Sequence, residues 1–94
     1  MNILFTEDFW VSFDEILDFI AIDSTERALK FKAEILEQIK KIPAMPLSYR
    51  KNPRLNNQNV RDLIYKGYII TFSIEIDVIK IVEIYKSNMP KFKI

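Results

Sequence analysis

The chain has 94 residues, which is the size of a single domain, and we expect one unit over residues 1–94. It contains neither Cys nor His, which excludes disulfides, thiolate nucleophiles, Ser-His-Asp and Cys-His catalysis, and most transition-metal sites. Apolar residues make up 49% of the chain, but no run approaches the roughly 18 apolar residues of a membrane span. We therefore expect a cytoplasmic protein that needs no cofactor, no metal and no membrane.

The formal net charge of +1 conceals an uneven distribution. Residues 1–39 carry nine acids and three bases, whereas residues 40–66 carry seven bases and one acid. This asymmetry, an acidic first part followed by a basic middle, is the main clue to function that the composition offers.

The first half of the chain has the pattern of a strand followed by two helices. Residues 3–5 form a short apolar run, and Thr6 can cap a helix behind it. Apolar residues spaced by three and four predict helices over about 7–21 and 24–42. The second helix stops before Pro43, and Ser24 or Asp23 can cap its start. The two helices should form a hairpin.

The second half has the pattern of a loop followed by strands. Three prolines and four asparagines predict a loop over residues 43–59, without regular structure. Residues 60–65, 68–75 and 78–85 are rich in β-branched and aromatic residues and are separated by two-residue turns. The prediction is an α+β fold in the order β-α-α-β-β-β, a helical hairpin on a mainly antiparallel four-stranded sheet. Residues 87–94 should form a basic, loosely held tail.

Several stretches resemble the RelE/ParE superfamily of bacterial toxins. Residues 60–72, Val-Arg-Asp-Leu-Ile-Tyr-Lys-Gly-Tyr-Ile-Ile-Thr-Phe, resemble the family's Arg-x-Leu strand and the aromatic-apolar strand behind it. Residues 18–24 resemble the turn between the family's helices, and residues 39–43 resemble the end of the second helix. The order of elements matches over nearly the whole chain, so the resemblance implies the toxin of a type II toxin–antitoxin pair.

The resemblance leaves three functions open. ParE-like members are similar to inhibitors of DNA gyrase, which act by binding, and the Asp-Ser turn between the helices favours this branch. RelE-like members are similar to ribosome-dependent endoribonucleases, in which the ribose hydroxyl of messenger RNA attacks the adjacent phosphate. A third alternative is a structural relative that is not toxic. The target, the antitoxin and the stoichiometry of the complex stay open at this point.

The resemblance also implies site residues. If the chain is a ribonuclease, the family positions suggest Arg61, Lys51, Tyr85 and Lys86 as catalytic residues, with cations that stabilise the charge on the phosphate. A surface for the target or for phosphate would consist of Arg50, Lys51, Arg54 and Arg61. Arg61 shares a strand face with Leu63 and Tyr65, and either face of the strand could be the core one. If the face of Arg61 borders the concave side of the sheet, its guanidinium should lie near Lys51, Arg54 and Tyr85. Each of these side chains has an alternative role as an ordinary surface charge or packing residue.

The expected partners are a cognate antitoxin and either DNA gyrase or the ribosome with its messenger RNA. A type II antitoxin is expected to be short, acidic and partly disordered, and to cover apolar and basic surface of the toxin as it folds on binding. The largest aromatic side chains are expected in the core rather than in a ligand site, namely Trp10, Phe13, Phe31, Tyr65 and Phe72.

Overall fold

A computed structural model describes residues 1–87, and the predicted basic tail lies almost entirely outside these residues. These described residues form five strands and two α-helices. Their bounds are β1 Asn2–Phe5, α1 Glu7–Asp23, α2 Thr25–Lys40, β2 Arg50–Lys51, β3 Val60–Tyr65, β4 Tyr68–Glu75 and β5 Val78–Lys86.

Side-chain caps fix where the two helices begin. The Thr6 hydroxyl accepts a hydrogen bond from the backbone N–H of Phe9 at the start of α1. Ser24 ends α1 and caps α2, because its backbone N–H donates to the Ile20 carbonyl while its hydroxyl accepts from Arg27 N–H. A single residue therefore separates the helices and folds them into the predicted hairpin. Within residues 1–87, no helix has the length and apolar character to cross a membrane.

The sheet has the order β1-β5-β4-β3-β2, with β1 parallel to β5 and the other neighbours antiparallel. Lys66 and Gly67 join β3 to β4 with φ angles of 51° and 83°. Two consecutive positive φ angles characterise the type I′ turn, whose twist matches that of the hairpin strands. The α+β class, the helical hairpin and the three-strand meander agree with the prediction.

The predicted loop over residues 43–59 is partly wrong, and so is the four-strand count. Arg50 and Lys51 form a fifth strand against β3, and Pro43 and Pro46 each lie in the first turn of a short 3₁₀ helix. Proline fits these positions because the first residues of a helix donate no intrahelical hydrogen bond. Helix α2 also ends at Lys40, two residues before the predicted boundary.

The helices cover one face of the sheet and enclose the core. Phe13 and Phe72 are fully buried there, while Trp10, Phe31 and Tyr65 are half-buried and pack against the same cluster, as expected. The strand pairing between β4 and β5 shifts between Thr71 and Phe72 because β5 contains one extra residue there. The shift lies beside Thr6, whose hydroxyl donates to the carbonyls of both Ile81 and Val82, at 2.9 Å each.

Replacing Thr6 with Val should reduce the free energy of unfolding by about 1 to 2 kcal/mol, because the hydroxyl both caps α1 and bonds to β5. Thr6→Ser retains the hydroxyl and should lose less than about half of that amount. Urea denaturation followed by circular dichroism measures both variants. Equal losses for the two substitutions would show that the methyl group contributes as much as the hydroxyl, which would contradict the role given to the two hydrogen-bonded carbonyls.

Candidate functional site

The sheet face opposite the helices contains a buried carboxylate. The Asp62 side chain is 0% exposed, and its Oδ2 lies 3.0 Å from Arg50 Nη2 and 3.1 Å from Arg50 Nε. Its Oδ1 accepts hydrogen bonds from Asn52 Nδ2 and Thr71 Oγ1, each at 3.0 Å. The carboxylate therefore has donors from β2, from the following loop and from β4, which offset the cost of removing it from water.

Asn52 extends this network into the loop over residues 52–59. Its side-chain Oδ1 accepts from the backbone N–H groups of Arg54 and Leu55, at 2.9 and 3.1 Å. Its own backbone N–H donates to the Val60 carbonyl at 2.9 Å. Asn52 is itself buried and bonded to Asp62. Side-chain hydrogen bonds, and not the backbone hydrogen bonds of a β-ladder, therefore hold the start of the loop in place.

The same loop sets Arg54 over the open face of the sheet. The Arg54 guanidinium lies 5.6 Å from the centre of the Tyr85 ring, and its Nη2 lies 3.8 Å from Glu83 Oε2. Beside it is a groove of about 560 Å³ with a mainly apolar lining that includes Leu55 and Val82. A cation and an aromatic ring therefore lie beside a groove with a mainly apolar lining. Such a groove is better suited to binding a protein surface than to binding a free anion.

Arg61 is bonded to the backbone of its own neighbourhood. Its Nε donates to the Gln58 carbonyl at 2.7 Å, and its Nη1 donates to the Tyr49 carbonyl at 3.0 Å. These bonds join the two ends of the segment that contains β2. The guanidinium thus fixes this segment against β3. Arg61, which lies in the stretch that resembles the family's Arg-x-Leu strand, therefore has a structural role.

The structure separates the side chains that were predicted to meet. Arg61 pairs with Phe72 and lies on the helix side of the sheet, whereas Arg54 lies over Tyr85 on the open side. Of the two faces left open for Arg61, the structure therefore shows the one on which its guanidinium does not meet Arg54 and Tyr85. Tyr85 and Lys86 are consecutive in β5 and also point to opposite faces. The four suggested catalytic residues do not surround one point.

The suggested target-binding residues lie along one edge of the sheet, although they are divided between its two faces. Arg50 and Lys51 form the outermost strand, opposite Asp62 and Arg61 of β3, and Arg54 follows in the adjoining loop. We call Arg50, Lys51, Arg54 and Arg61 the basic edge. Lys51 is exposed and makes no ion pair with any residue that the structure describes, so it is the cation of this edge most open to a partner.

Sequence reasoning missed a cleft of about 440 Å³ between the helical hairpin and the end of the sheet. Among residues 1–87, four cations line it, together with the aromatic rings of Phe31 and Tyr68; the cations are Arg27, Lys30, Lys66 and Lys86. They come from α2, from the β3–β4 turn and from the end of β5, so no single stretch of sequence reveals them. The one local signal is the i, i+3 spacing of Arg27 and Lys30 on α2. We call this site the cationic cleft.

An ion pair closes one side of the cationic cleft. Lys66 Nζ lies 3.0 Å from Glu34 Oε1, and the Tyr65 hydroxyl donates to the same oxygen at 3.3 Å. The hydrogen bond from Lys66 lowers the pKa of the Glu34 carboxyl below its usual value despite some desolvation. The same bond raises the pKa of Lys66. The pair ties α2 to the β3–β4 turn.

Comparisons with known proteins agree with this architecture. The chain matches the family model described as "ParE toxin of type II toxin-antitoxin system, parDE" over residues 3–90. A solved chain from the chromosomal ParDE TA system of P. aeruginosa has a TM-score of 0.75 and 24% sequence identity, covering 92% of this chain and 95% of that chain. At this identity the likeness shows the fold. No curated protein sequence matches.

Asp62→Asn should reduce the free energy of unfolding by about 2 to 3 kcal/mol. The amide keeps one acceptor oxygen, but its NH₂ group faces donors of Arg50 or of Asn52 and Thr71. Chemical denaturation of the variant measures the loss. Asp77→Asn makes the same chemical change at an exposed turn residue and should cost less than about 0.5 kcal/mol. A matching loss for both would mean that the buried network contributes nothing.

The ion pair between Glu34 and Lys66 should make stability depend on pH at both extremes. The folded pKa of Glu34 is lowered, so its contribution is present above the unfolded pKa and is lost as pH falls through the folded pKa. The folded pKa of Lys66 is raised, so its contribution is present below the unfolded pKa and is lost as pH rises through the folded pKa.

Thermal unfolding of Glu34→Gln and of the wild type across pH tests this dependence. The two melting temperatures should differ at neutral pH and converge in acid, once the wild-type carboxyl is protonated. Glu37→Gln, an exposed position on the same helix, should follow the wild type more closely at neutral pH. A Glu34→Gln difference that is constant from neutral to acid pH would contradict the assignment.

Proposed function

The chain belongs to the ParE toxin family of type II toxin–antitoxin systems, and on that premise we propose that it arrests growth by binding DNA gyrase in the cytoplasm. Membership implies a cognate antitoxin as the partner that neutralises it. The basic edge is the proposed contact with gyrase. A toxin of this kind acts through its surface and needs no assembled catalytic group.

The main observation in support of this proposal is that the basic side chains suggested for catalysis, and Tyr85, lie on two different faces of the sheet. Cleavage of RNA by transphosphorylation needs groups that converge on one phosphate, because charge stabilisation falls off when the donors are misplaced. Arg61 faces the helices, Arg54 and Tyr85 lie on the open face, and Lys86 lies over Tyr68 on the helix side. This arrangement supports binding over ribonuclease chemistry.

The basic edge suits a protein target because its backbone is held in place. Arg50 is fixed by the buried Asp62, and the loop that carries Arg54 is fixed by Asn52. Preorganised side chains lose less conformational entropy on association. Lys51 projects from the same strand without an ion pair among the described residues, so its charge is available to an acidic patch on the target.

The purified chain should inhibit supercoiling of relaxed plasmid DNA by gyrase, and Lys51→Glu should weaken this inhibition about ten-fold. The reversal places a negative charge in the middle of the basic edge but disturbs none of the hydrogen bonds around Asp62. Lys32→Glu is the matched control, since Lys32 is an exposed cation on α2 outside both the basic edge and the cationic cleft. It should inhibit like the wild type.

A second experiment, in cells in which expression of the wild-type chain is induced, distinguishes the alternatives by following messenger RNA and growth. Loss of intact message on ribosomes, with gyrase activity unaffected, would replace the proposal with a ribosome-dependent ribonuclease. Normal growth and normal supercoiling in the presence of the folded chain would indicate a relative that is not toxic. Both measurements use the wild-type chain, so their outcome does not depend on the effect of any substitution.

A further inference from the structure

The two edges of the sheet differ in their protection against pairing with a further strand. Strand β2 is two residues long, and both of its side chains, Arg50 and Lys51, are exposed bases. Short length and basic side chains are devices by which an edge strand avoids other strands. Strand β1, at the opposite edge, is four residues long and has the uncharged sequence Asn-Ile-Leu-Phe, without proline. The sheet therefore has one protected edge and one edge that is open to pairing.

The backbone of β1 has hydrogen-bonding groups on its outer side. Asn2 and Thr6 donate their backbone N–H groups to the carbonyls of Asp77 and Ile81, at 3.2 and 3.1 Å, and so face β5. In a strand the N–H and C=O groups of alternate residues point to the same side, so those of Ile3 and Phe5 point away from β5. Among residues 1–87, no strand lies beyond β1 to bond with them.

A second, antiparallel copy of β1 satisfies these groups when a two-fold axis passes beside Leu4. Ile3 of each copy then lies opposite Phe5 of the other, and the two residues of each such pair exchange their N–H and C=O groups. The two copies of Leu4 form a pair without hydrogen bonds, in which the Cα atoms are about 4.5 Å apart and the side chains touch. Leu4 is 51% exposed in the single chain, so this contact would cover it.

Helix α1 adds apolar surface beside the same edge. The centres of the Trp10 and Phe5 rings are 5.1 Å apart, which places Trp10 on the side of α1 that adjoins β1. Leu17 lies two turns further along the same side of the helix. Both side chains are half-buried and so retain surface for a further contact. The β1 edge is thus flanked by apolar side chains on the helix side as well as by Leu4 on the open side.

We infer that two copies of the chain associate through β1 and join their five-stranded sheets into one continuous sheet with a two-fold axis. Because β2 is the strand furthest from β1, the two basic edges lie at opposite ends of this sheet and stay uncovered. A dimer of this kind can engage two sites at once, which raises the apparent affinity without any new contact. The association does not depend on the proposed function.

Charge and area indicate a dimer that forms reversibly. The formal net charge is +1, so two copies repel each other little at long range. Two four-residue edges with one side of a helix bury less than the roughly 1,200–2,000 Å² of a stable interface, so the dissociation constant should be micromolar. Glu7 and Asp14 are exposed on α1 near this edge and repel their counterparts in the second copy, so added salt should tighten the dimer.

Sedimentation of the purified chain tests the inference. The wild type should pass from monomer to dimer between about 1 and 100 µM. Leu4→Lys places two ammonium groups beside the axis and should weaken dimerisation at least about ten-fold. Ile64→Lys is the matched control, because Ile64 is 54% exposed on the open face of β3, two strands away from β1. It should dimerise like the wild type.

Cross-linking tests the predicted register. The chain contains no Cys, so Leu4→Cys introduces a single thiol. Its Cα atom and that of the second copy should lie about 4.5 Å apart, within the range that a disulfide spans. Mild oxidation should therefore link Leu4→Cys into a covalent dimer at least about ten-fold faster than Ile64→Cys, which is equally exposed but away from the axis.

Amide exchange of the wild type reports the new hydrogen bonds directly. Exchange at Ile3 and Phe5 should slow as the protein concentration rises, whereas the Thr6 amide, already bonded to Ile81, should change little. This measurement and the cross-linking decide the question if Leu4→Lys fails to fold in circular dichroism.

Three results would overturn the inference. The first is a wild-type chain that stays monomeric at every concentration, which would leave the β1 edge to a strand of another protein. The second is equal dimerisation of folded Leu4→Lys and Ile64→Lys. The third is equal rates of cross-linking for the two cysteine variants. None of these measurements uses gyrase or the antitoxin, so a failure of the proposed function would not be mistaken for a failure of the dimer.

Discussion

A β-strand directs successive side chains to opposite faces, and this constraint determines which residues of the chain act together. Arg61 and Asp62 are neighbours in β3, yet Arg61 lies on the helix side and Asp62 is buried under the loop of the open side. Tyr85 and Lys86 are separated in the same way at the end of β5. Adjacent residues that look like one site in the sequence therefore belong to two surfaces of the protein.

The buried Asp62 shows how a small domain orders an irregular segment. A two-residue strand contributes few backbone hydrogen bonds, so β2 and the loop behind it depend on side-chain bonds for their position. A carboxylate in the interior needs several donors, and Arg50, Asn52 and Thr71 satisfy that need from three different elements. The hydrogen bonds of this one acid therefore hold Arg50 and the start of the loop against β3 and β4.

The sequence predicts those elements that depend on interactions between residues close together in the chain, and it misses those that depend on residues far apart. Helix α1, the hairpin turn at Ser24 and the strands from Val60 onwards result from local periodicity, caps and turns, and all appear close to their predicted bounds. Strand β2 could not be predicted, because it depends on the contact between Arg50 and Asp62, 12 positions apart, which no local pattern contains. The cationic cleft depends on contacts between Glu34 and Lys66, 32 positions apart, which no local pattern contains.

The basic middle of the chain illustrates why charge counts need a structure before they imply a partner. Residues 40–66 contain seven bases and one acid, but that acid is Asp62, which holds Arg50, and Lys66 is held by Glu34 from the acidic part. Arg61 donates two hydrogen bonds to backbone carbonyls. Hydrogen bonds to neutral carbonyls leave the charge of Arg61 intact, so only a base that is paired with an acid loses part of its attraction for a polyanion. The position of each base in the fold, and not the number of bases, therefore decides which surface is positive.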